Sequence, residues 1–349
     1  MREPTVRPAP ADYLSDLERC FAAARDSLGG RDLEVVIAGQ GLRLRFAGEA
    51  MADQIAPAFA HLPPARAGAE PDMEIDIWDA ETSAVKPPRA PFSHTDVDGI
   101  GDVAGFNEGR IRTACDLGYG AITVVDLDRR KALFSVPAAT RVPWYERAAP
   151  LRPALHWLLE PGGCLVHAGS VGRGDRGALI VGRSGSGKST LATAALLGGM
   201  QFAGDDYVVL TDDGAARAHA VHGTSKLTTR SLELLPALGV TGPPDPLPNS
   251  KTVVDLHSIR PGQVCASLEI RAIVAPEVSA EGPAWSRIRG AAGMLALAPS
   301  TMLQLPGRDS GAMRQMAALA RTVPSYALAL GPDPTAAASA LEEVLADAP

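Results

Sequence analysis

Gly177 to Gly199 reads GALIVGRSGSGKSTLATAALLGG. An apolar, β-prone run ends at Gly182, a glycine-rich loop follows, and Leu191 to Gly199 is a run of helix formers with a Gly-Gly stop. Gly182 to Ser189 matches G-x-x-x-x-G-K-[ST] in full, in the strand–loop–helix context that this pattern needs. Glycines at 182, 185 and 187 let the backbone turn tightly and aim N–H groups inward, and the start of a helix favours anions. The expected phosphate cradle is Gly182, Ser184, Gly185, Ser186, Gly187, Lys188, Ser189 and Thr190. Lys188 supplies a point charge for the β- and γ-phosphates of a nucleotide, and the Ser189 hydroxyl is a ligand for Mg²⁺.

The flanks narrow the chemistry. GDDYVVL, Gly204 to Leu210, places two carboxylates at the head of an apolar strand just after the loop's helix. Phosphate transfer to an alcohol uses one carboxylate near Mg²⁺ and another to take the hydroxyl proton, and Asp205 and Asp206 can divide those roles. Aspartate is also common in a turn before a strand. On the other side, CLVHAGSV and GALIV flank Arg173-Gly174-Asp175-Arg176 and read as a hairpin. A turn centred near Asp175 puts His167 opposite about position 183, the mouth of the loop. The chain has no LSGGQ-like signature, no later apolar run ending in Asp-Glu and no N-K-x-D.

Taken together, His167 fifteen residues before Gly182, the loop GRSGSGKS, and Asp205-Asp206 sixteen residues after Ser189 resemble the bacterial HPr serine kinase/phosphorylase catalytic domain. The resemblance spans about fifty residues, Cys164 to Leu210. It implies a nucleotide-binding fold shared with phosphoenolpyruvate carboxykinase. It also implies that Lys188 and Ser189 hold phosphate and Mg²⁺, that the Asp205-Asp206 pair supplies general base and metal contact, and that His167 lies near the transferred phosphoryl group. Asp206 joins Ser189 as the expected metal ligand. Thr190 stands where those enzymes carry an acidic residue. Their later glycine-rich segment has no counterpart in HGTSKLTTRSLELLPAL, His222 to Leu238, the proline loop after it, or NSKTVVDL, Asn249 to Leu256. Neither HPr as substrate nor phosphorolysis is therefore implied, and the chain looks more like the divergent HPr-kinase-like proteins, some of which modify ribosomally made peptides.

The 349 residues, 46% hydrophobic and carrying a formal net charge of −7, suit more than one domain with a proper core and argue against a nucleic-acid binder. Cys20, Cys115, Cys164 and Cys265 are scattered without metal spacing and read as reduced thiols. MREPTVRPAPADYL lacks a signal-peptide core and no apolar run is long enough to span a bilayer, so a soluble cytoplasmic protein is expected, with no membrane partner. The first dozen residues are proline-rich. Helices are expected over Tyr13–Leu28, Met51–Leu62, Ala149–Glu160, Gly311–Thr322 and Pro334–Ala346. Strands are expected on both sides of Gly39–Gly41 and at Met73–Trp78, Ala121–Asp128, Lys131–Pro137 and Ser325–Leu330.

The expected fold is α/β: a mixed, partly antiparallel sheet around the loop's helix in a catalytic domain, 151–349, with a smaller strand-rich α+β domain at 1–150. Lys226 and Lys251 can each reach a phosphate or an acidic substrate, but a solvated surface position is the simpler expectation. His219 and His222 lack a third metal ligand and read as structural, and Arg287 and Arg289 read as a solvent-facing pair. The function that the resemblance implies is transfer of the γ-phosphate of Mg-ATP to a serine-type hydroxyl of a protein, peptide or small molecule, by an enzyme that can also be oligomeric. The alternative is a catalytically silent ATP-binding regulatory module acting through a partner. A phosphoenolpyruvate-carboxykinase-like decarboxylase would need a Lys/His/Asp metal cluster that the sequence does not offer.

Overall fold

A computed structural model of the chain describes residues 9–143, 146–147, 149–160, 162–240, 251–307 and 310–349. The start of the proline-rich head, to residue 8, and the proline loop with Asn249 lie outside the described residues. The architecture is mixed α/β.

The first sheet comprises β1 (Gly30–Ile37), β2 (Gln40–Ala47), β3 (Met73–Asp79), β4 (Ile111–Asp116), β5 (Ala121–Asp126) and β6 (Lys131–Val136), in the order β1-β2-β3-β6-β5-β4. β2, β3 and β6 run parallel, and the remaining pairs are antiparallel. The β1–β2 turn is Ala38-Gly39, at φ 50° and 78°, one residue earlier than the Gly-Gln-Gly stretch suggests. Two left-handed residues give the turn whose twist matches a hairpin. The helix Pro10–Leu28 lays Leu14, Leu17 and Phe21 on one face of this sheet, against Trp78 and Leu133.

The second sheet comprises β7 (Cys164–Val166), β8 (Gly169–Arg173), β9 (Arg176–Ile180), β10 (Gln201–Gly204), β11 (Val208–Asp212) and β12 (Ala216–Ala220), followed, after β13 (Thr224–Thr228) and β14 (Lys251–Asp255) have paired as a separate ribbon, by β15 (Ser267–Glu277), β16 (Ala284–Ile288) and β17 (Ser325–Ala329). The main order is β10-β8-β9-β15-β12-β11-β7. β15 carries β9 in parallel along one edge; on the other it pairs first with β12 and then with β17. Along β9 and the residue after it, Ala178 and Ile180 join a cluster with the helices Lys188–Leu197 and Pro334–Asp347. Leu179 and Val181 join one on the opposite face with the helices Gly290–Met302 and Ser310–Thr322. Burial on both faces is why this strand is continuously apolar rather than alternating. The largest hydrophobic cluster joins Leu44, Ile75 and Phe134 of the first sheet to Leu165 and Val209 of the second, and to Tyr207 just before β11, through the helix Arg152–Leu158.

Three histidines sit in this framework as neutral groups. His222 packs edge-on against Phe59 at 5.2 Å, and burial pushes its pKa down to about 3. His219 hydrogen-bonds Thr211 at 2.9 Å, and burial brings it to about 4, as burial and His257 do for His61. His219 and His222 are thus packed side chains, and among the described residues no cluster of three or more His, Cys, Asp or Glu could hold a metal. A depressed folded pKa means that the unfolded chain binds more protons below about pH 6.5. Stability should therefore fall as pH drops from about 6.5 toward 4, and His219→Gln should flatten that slope in denaturant titrations run across the range.

Candidate active site

The loop from Gly182 to Gly187 joins β9, through Val181, to the helix Lys188–Leu197. Gly182 and Gly187 have φ of 142° and 95°, backbone that only glycine adopts readily. A Cβ on Gly187 would lie 2.3 Å from Leu330 Cδ1. Gly187→Ala should cost about 1–3 kcal/mol in strain and weaken nucleotide binding, as thermal denaturation and an ATP titration would show.

Lys188 is buried, and its Nζ curls back over the loop to donate to the carbonyls of Gly182 (2.8 Å) and Arg183 (3.2 Å). Burial pulls its pKa below the ordinary lysine value, against the nearby Asp205 charge. The next residue begins a second contact: Ser189 Oγ donates to Asp205 Oδ1 at 3.1 Å. The other oxygen of Asp205 accepts from Ser225 Oγ at 2.6 Å. Asp205 is thereby fixed beneath Ser189, 1% exposed.

Asp206 faces elsewhere. Its φ of 69° is left-handed, a region that aspartate tolerates better than most residues. The carboxylate meets Lys226 Nζ at 2.7 Å and His167 Nε2 at 3.3 Å. Burial alone would raise the Asp206 pKa, but Lys226 and His167 outweigh it and hold the group well below the usual carboxylate range. Lys226 shifts in the complementary direction: burial lowers it, while Asp206 and Glu146 raise it above the ordinary lysine value. Lys226 lies on β13 and is 9% exposed, which corrects the expectation of a solvated lysine.

His167 is positioned by strand exchange. CLVHAGSV is not one strand: β7 leaves off at Val166 and pairs with β11, whereas β8 starts at Gly169 and pairs with β9 and β10. The β8–β9 pairing ends at Gly169–Ile180, so His167 belongs to the break rather than to the hairpin. The β7–β11 register, Val166 opposite Val208, carries His167 beside Tyr207, with ring centroids 5.6 Å apart. Its backbone N–H donates to Thr301 Oγ1 at 3.0 Å. Gln304 accepts from Tyr207 OH at 2.9 Å and donates from Nε2 to His167 Nδ1 at 3.2 Å. With Nδ1 accepting, the ring proton sits on Nε2 and points to Asp206.

A cavity of about 430 Å³ gathers these groups. Its wall includes His167, Ser184, Gly185, Gly187, Lys188, Ser189, Thr190, Asp206, Lys226 and Lys251. Leu330, Pro332 and Ala337 supply an apolar side. Gly182, Ser186 and Asp205 do not line it; Asp205 reaches it through Ser189. Gln304, Thr301 and Ser225 are the partners that sequence reasoning missed; Lys226 was singled out but ranked as solvated, and the usable signal for its burial was a lysine inside the β-prone run TSKLT rather than in a turn. Arg287 is exposed as expected and pairs with Asp347 at 2.9 Å.

No described helix is long and apolar enough to cross a membrane. The sequence matches no protein-family model and no curated protein. Among solved structures, the chain has a weak likeness to the Hpr(Ser) kinase/phosphatase from Coxiella burnetii, with 13% identity and a TM-score of 0.32, covering 52% of this chain and 91% of that one.

Proposed function

We propose that this chain is an ATP-dependent phosphotransferase acting on an alcohol. The observation that carries the reading is the division of two adjacent carboxylates within one site. Asp205 hydrogen-bonds the Ser189 hydroxyl, while Asp206 is turned toward Lys226 and His167. In a phosphate-transfer site these are two different tasks.

The loop and Lys188 would hold the polyphosphate of ATP, with Lys188 exchanging its two loop carbonyls for phosphate oxygens. Ser189 with Asp205, in place of the expected Asp206, which is turned to Lys226 and His167, makes an oxygen-only pair that fits Mg²⁺, an ion that keeps several waters and takes few protein ligands. When bound, Mg²⁺ would neutralise charge on the β- and γ-phosphates. Asp206 would orient the acceptor hydroxyl. As the alcohol oxygen forms its bond to the γ-phosphorus and the bond to the β,γ-bridging oxygen breaks, the hydroxyl proton passes to Asp206 and ADP leaves. Being strongly ionised, Asp206 takes that proton late, when the attacking oxygen has lost most of its electron density. His167, with its Nε2–H on Asp206, and Lys226 keep the carboxylate in place and leave positive potential beside the transferring group.

ADP formation in the presence and absence of host extract tests the reading. Extract-dependent ADP release that disappears in Lys188→Ala supports it. Tight ATP binding with no release under any condition would contradict it and favour a silent nucleotide-binding module.

A further inference from the structure

Asp206 and Lys226 stand in the wall between two cavities. One is the loop cavity. The second, about 440 Å³, lies between the glycine-loop half and the first sheet, and its wall takes Gln304 and Arg152 on one side and Asp116 and Thr123 of β4 and β5 on the other. Asp206 is 15% exposed on its side chain, so what remains accessible is shared between these two spaces.

We propose that the second cavity receives the phosphate acceptor, a compact alcohol that is neutral or cationic in the part that enters. This deepens the phosphotransferase reading and rests on it. A base that takes a proton from an alcohol must touch the alcohol and lie beside the phosphate, and among the described residues Asp206 is the carboxylate that borders both cavities. The volume is that of a small-molecule site rather than a docking face for a folded protein. The charge follows from pairing. Glu146 is taken by Arg152 and Asp206 by Lys226. Among the described residues Asp98 and Asp116 complete the acidic lining, and neither has a side-chain cation there. Each uses Oδ1 to cap nearby N–H groups: Ile100 and Asp102 for Asp98, Gly118 and Tyr119 for Asp116. Among the described residues no side-chain cation pairs with this charge at the cavity rim, and an acceptor bearing a carboxylate or phosphate there is repelled. The first sheet, which holds none of the glycine-loop machinery, gains a role as the outer wall of the acceptor site.

The compact alcohol can be a free small molecule or the end of a peptide. The test supplies full-length protein and Mg-ATP to host extract split by ultrafiltration, with the low-mass part further divided by anion exchange at neutral pH and by peptidase treatment. Phosphate gain is followed by mass spectrometry. The expected acceptor is in the low-mass, anion-exchange flow-through; survival of peptidase treatment identifies a free molecule, and loss identifies a peptide end. Thr123→Trp, which fills the cavity, should abolish transfer with ATP affinity unchanged. Leu117→Trp, at a rim position 55% exposed and so safe for folding, should raise the acceptor KM but not the KM for ATP. Transfer only to folded macromolecules, an acceptor retained on the anion exchanger, or wild-type kinetics in both variants would overturn the proposal while leaving the phosphotransferase reading intact. ATP bound without phosphate transfer to any fraction would overturn both.

Discussion

Asp206→Asn is expected to lower turnover for phosphate transfer by about 10²–10⁴-fold, the range for loss of a positioned general base, while ATP still binds. Asparagine is a fair probe because it tolerates the left-handed backbone at φ 69° that Asp206 occupies. Nucleotide affinity should persist because Lys188, Ser189 and Asp205 form their own contacts without Asp206. The substitution has a second cost. Lys226 is buried with Asp206 as its partner at 2.7 Å. Removing one member of such a pair typically destabilises by about 3–5 kcal/mol. The double variant Asp206→Asn with Lys226→Met should recover much of that stability and none of the activity, so thermal denaturation beside steady-state kinetics separates the two effects.

The pH dependence of the pair follows from its shifts. Asp206 is depressed, so its contribution is present above the ordinary carboxylate range and is lost as pH falls through the lower folded value. Lys226 is raised, so its contribution is full below the ordinary lysine value and is lost as pH rises through the higher folded one. Between about pH 5 and 9 the pair should hold constant, leaving the histidines to shape the acid limb.

Lys188→Ala is expected to reduce transfer by about 10²–10³-fold, the usual effect of removing one charge-stabilising donor, and to weaken ATP binding as well. Lys188→Arg should not restore either. Lys188 is 7% exposed, and its Nζ has the loop carbonyls of Gly182 and Arg183 at 2.8 and 3.2 Å, a space shaped for a point charge rather than a planar fork. Calorimetric ATP titration alongside transfer kinetics checks both statements.

What the sequence makes legible is what local chemistry decides. The strand, loop and helix from Gly177 to Gly199 are contiguous, and glycine conformation with helix propensity is enough to draw them. The same holds for the hairpin whose two-residue turn is Gly174-Asp175. β4 escaped notice because IRTACD, as long as β5, carries Arg112 and Asp116 and lacks the run of β-branched residues that marks AITVVD. The helix Gly290–Met302 escaped because GAAGMLALAPSTM contains glycines and Pro299, which lower local helix propensity. Tertiary packing overrides that here, and the helix delivers Thr301 to His167.

The candidate site was half legible for the same reason. Lys188, Ser189, Asp205, Asp206 and His167 lie near one another in sequence and meet in space. Which carboxylate does what depends on Ser225 and Lys226, carried on a ribbon separate from the main sheet, and on Gln304, far along the chain. The break between β7 and β8 is likewise invisible locally. Ala168-Gly169 are the weak β-formers within CLVHAGSV, too faint a signal alone, and it is the change of partner from β11 to β9 that interrupts the strand.

The most direct measurement is mass spectrometry of host acceptors after incubation with Mg-ATP and the wild-type protein, Asp206→Asn or Lys188→Ala. The account predicts one added phosphate on an alcohol with the wild-type protein and almost none with either variant. Equal phosphorylation by wild type and Asp206→Asn would contradict it.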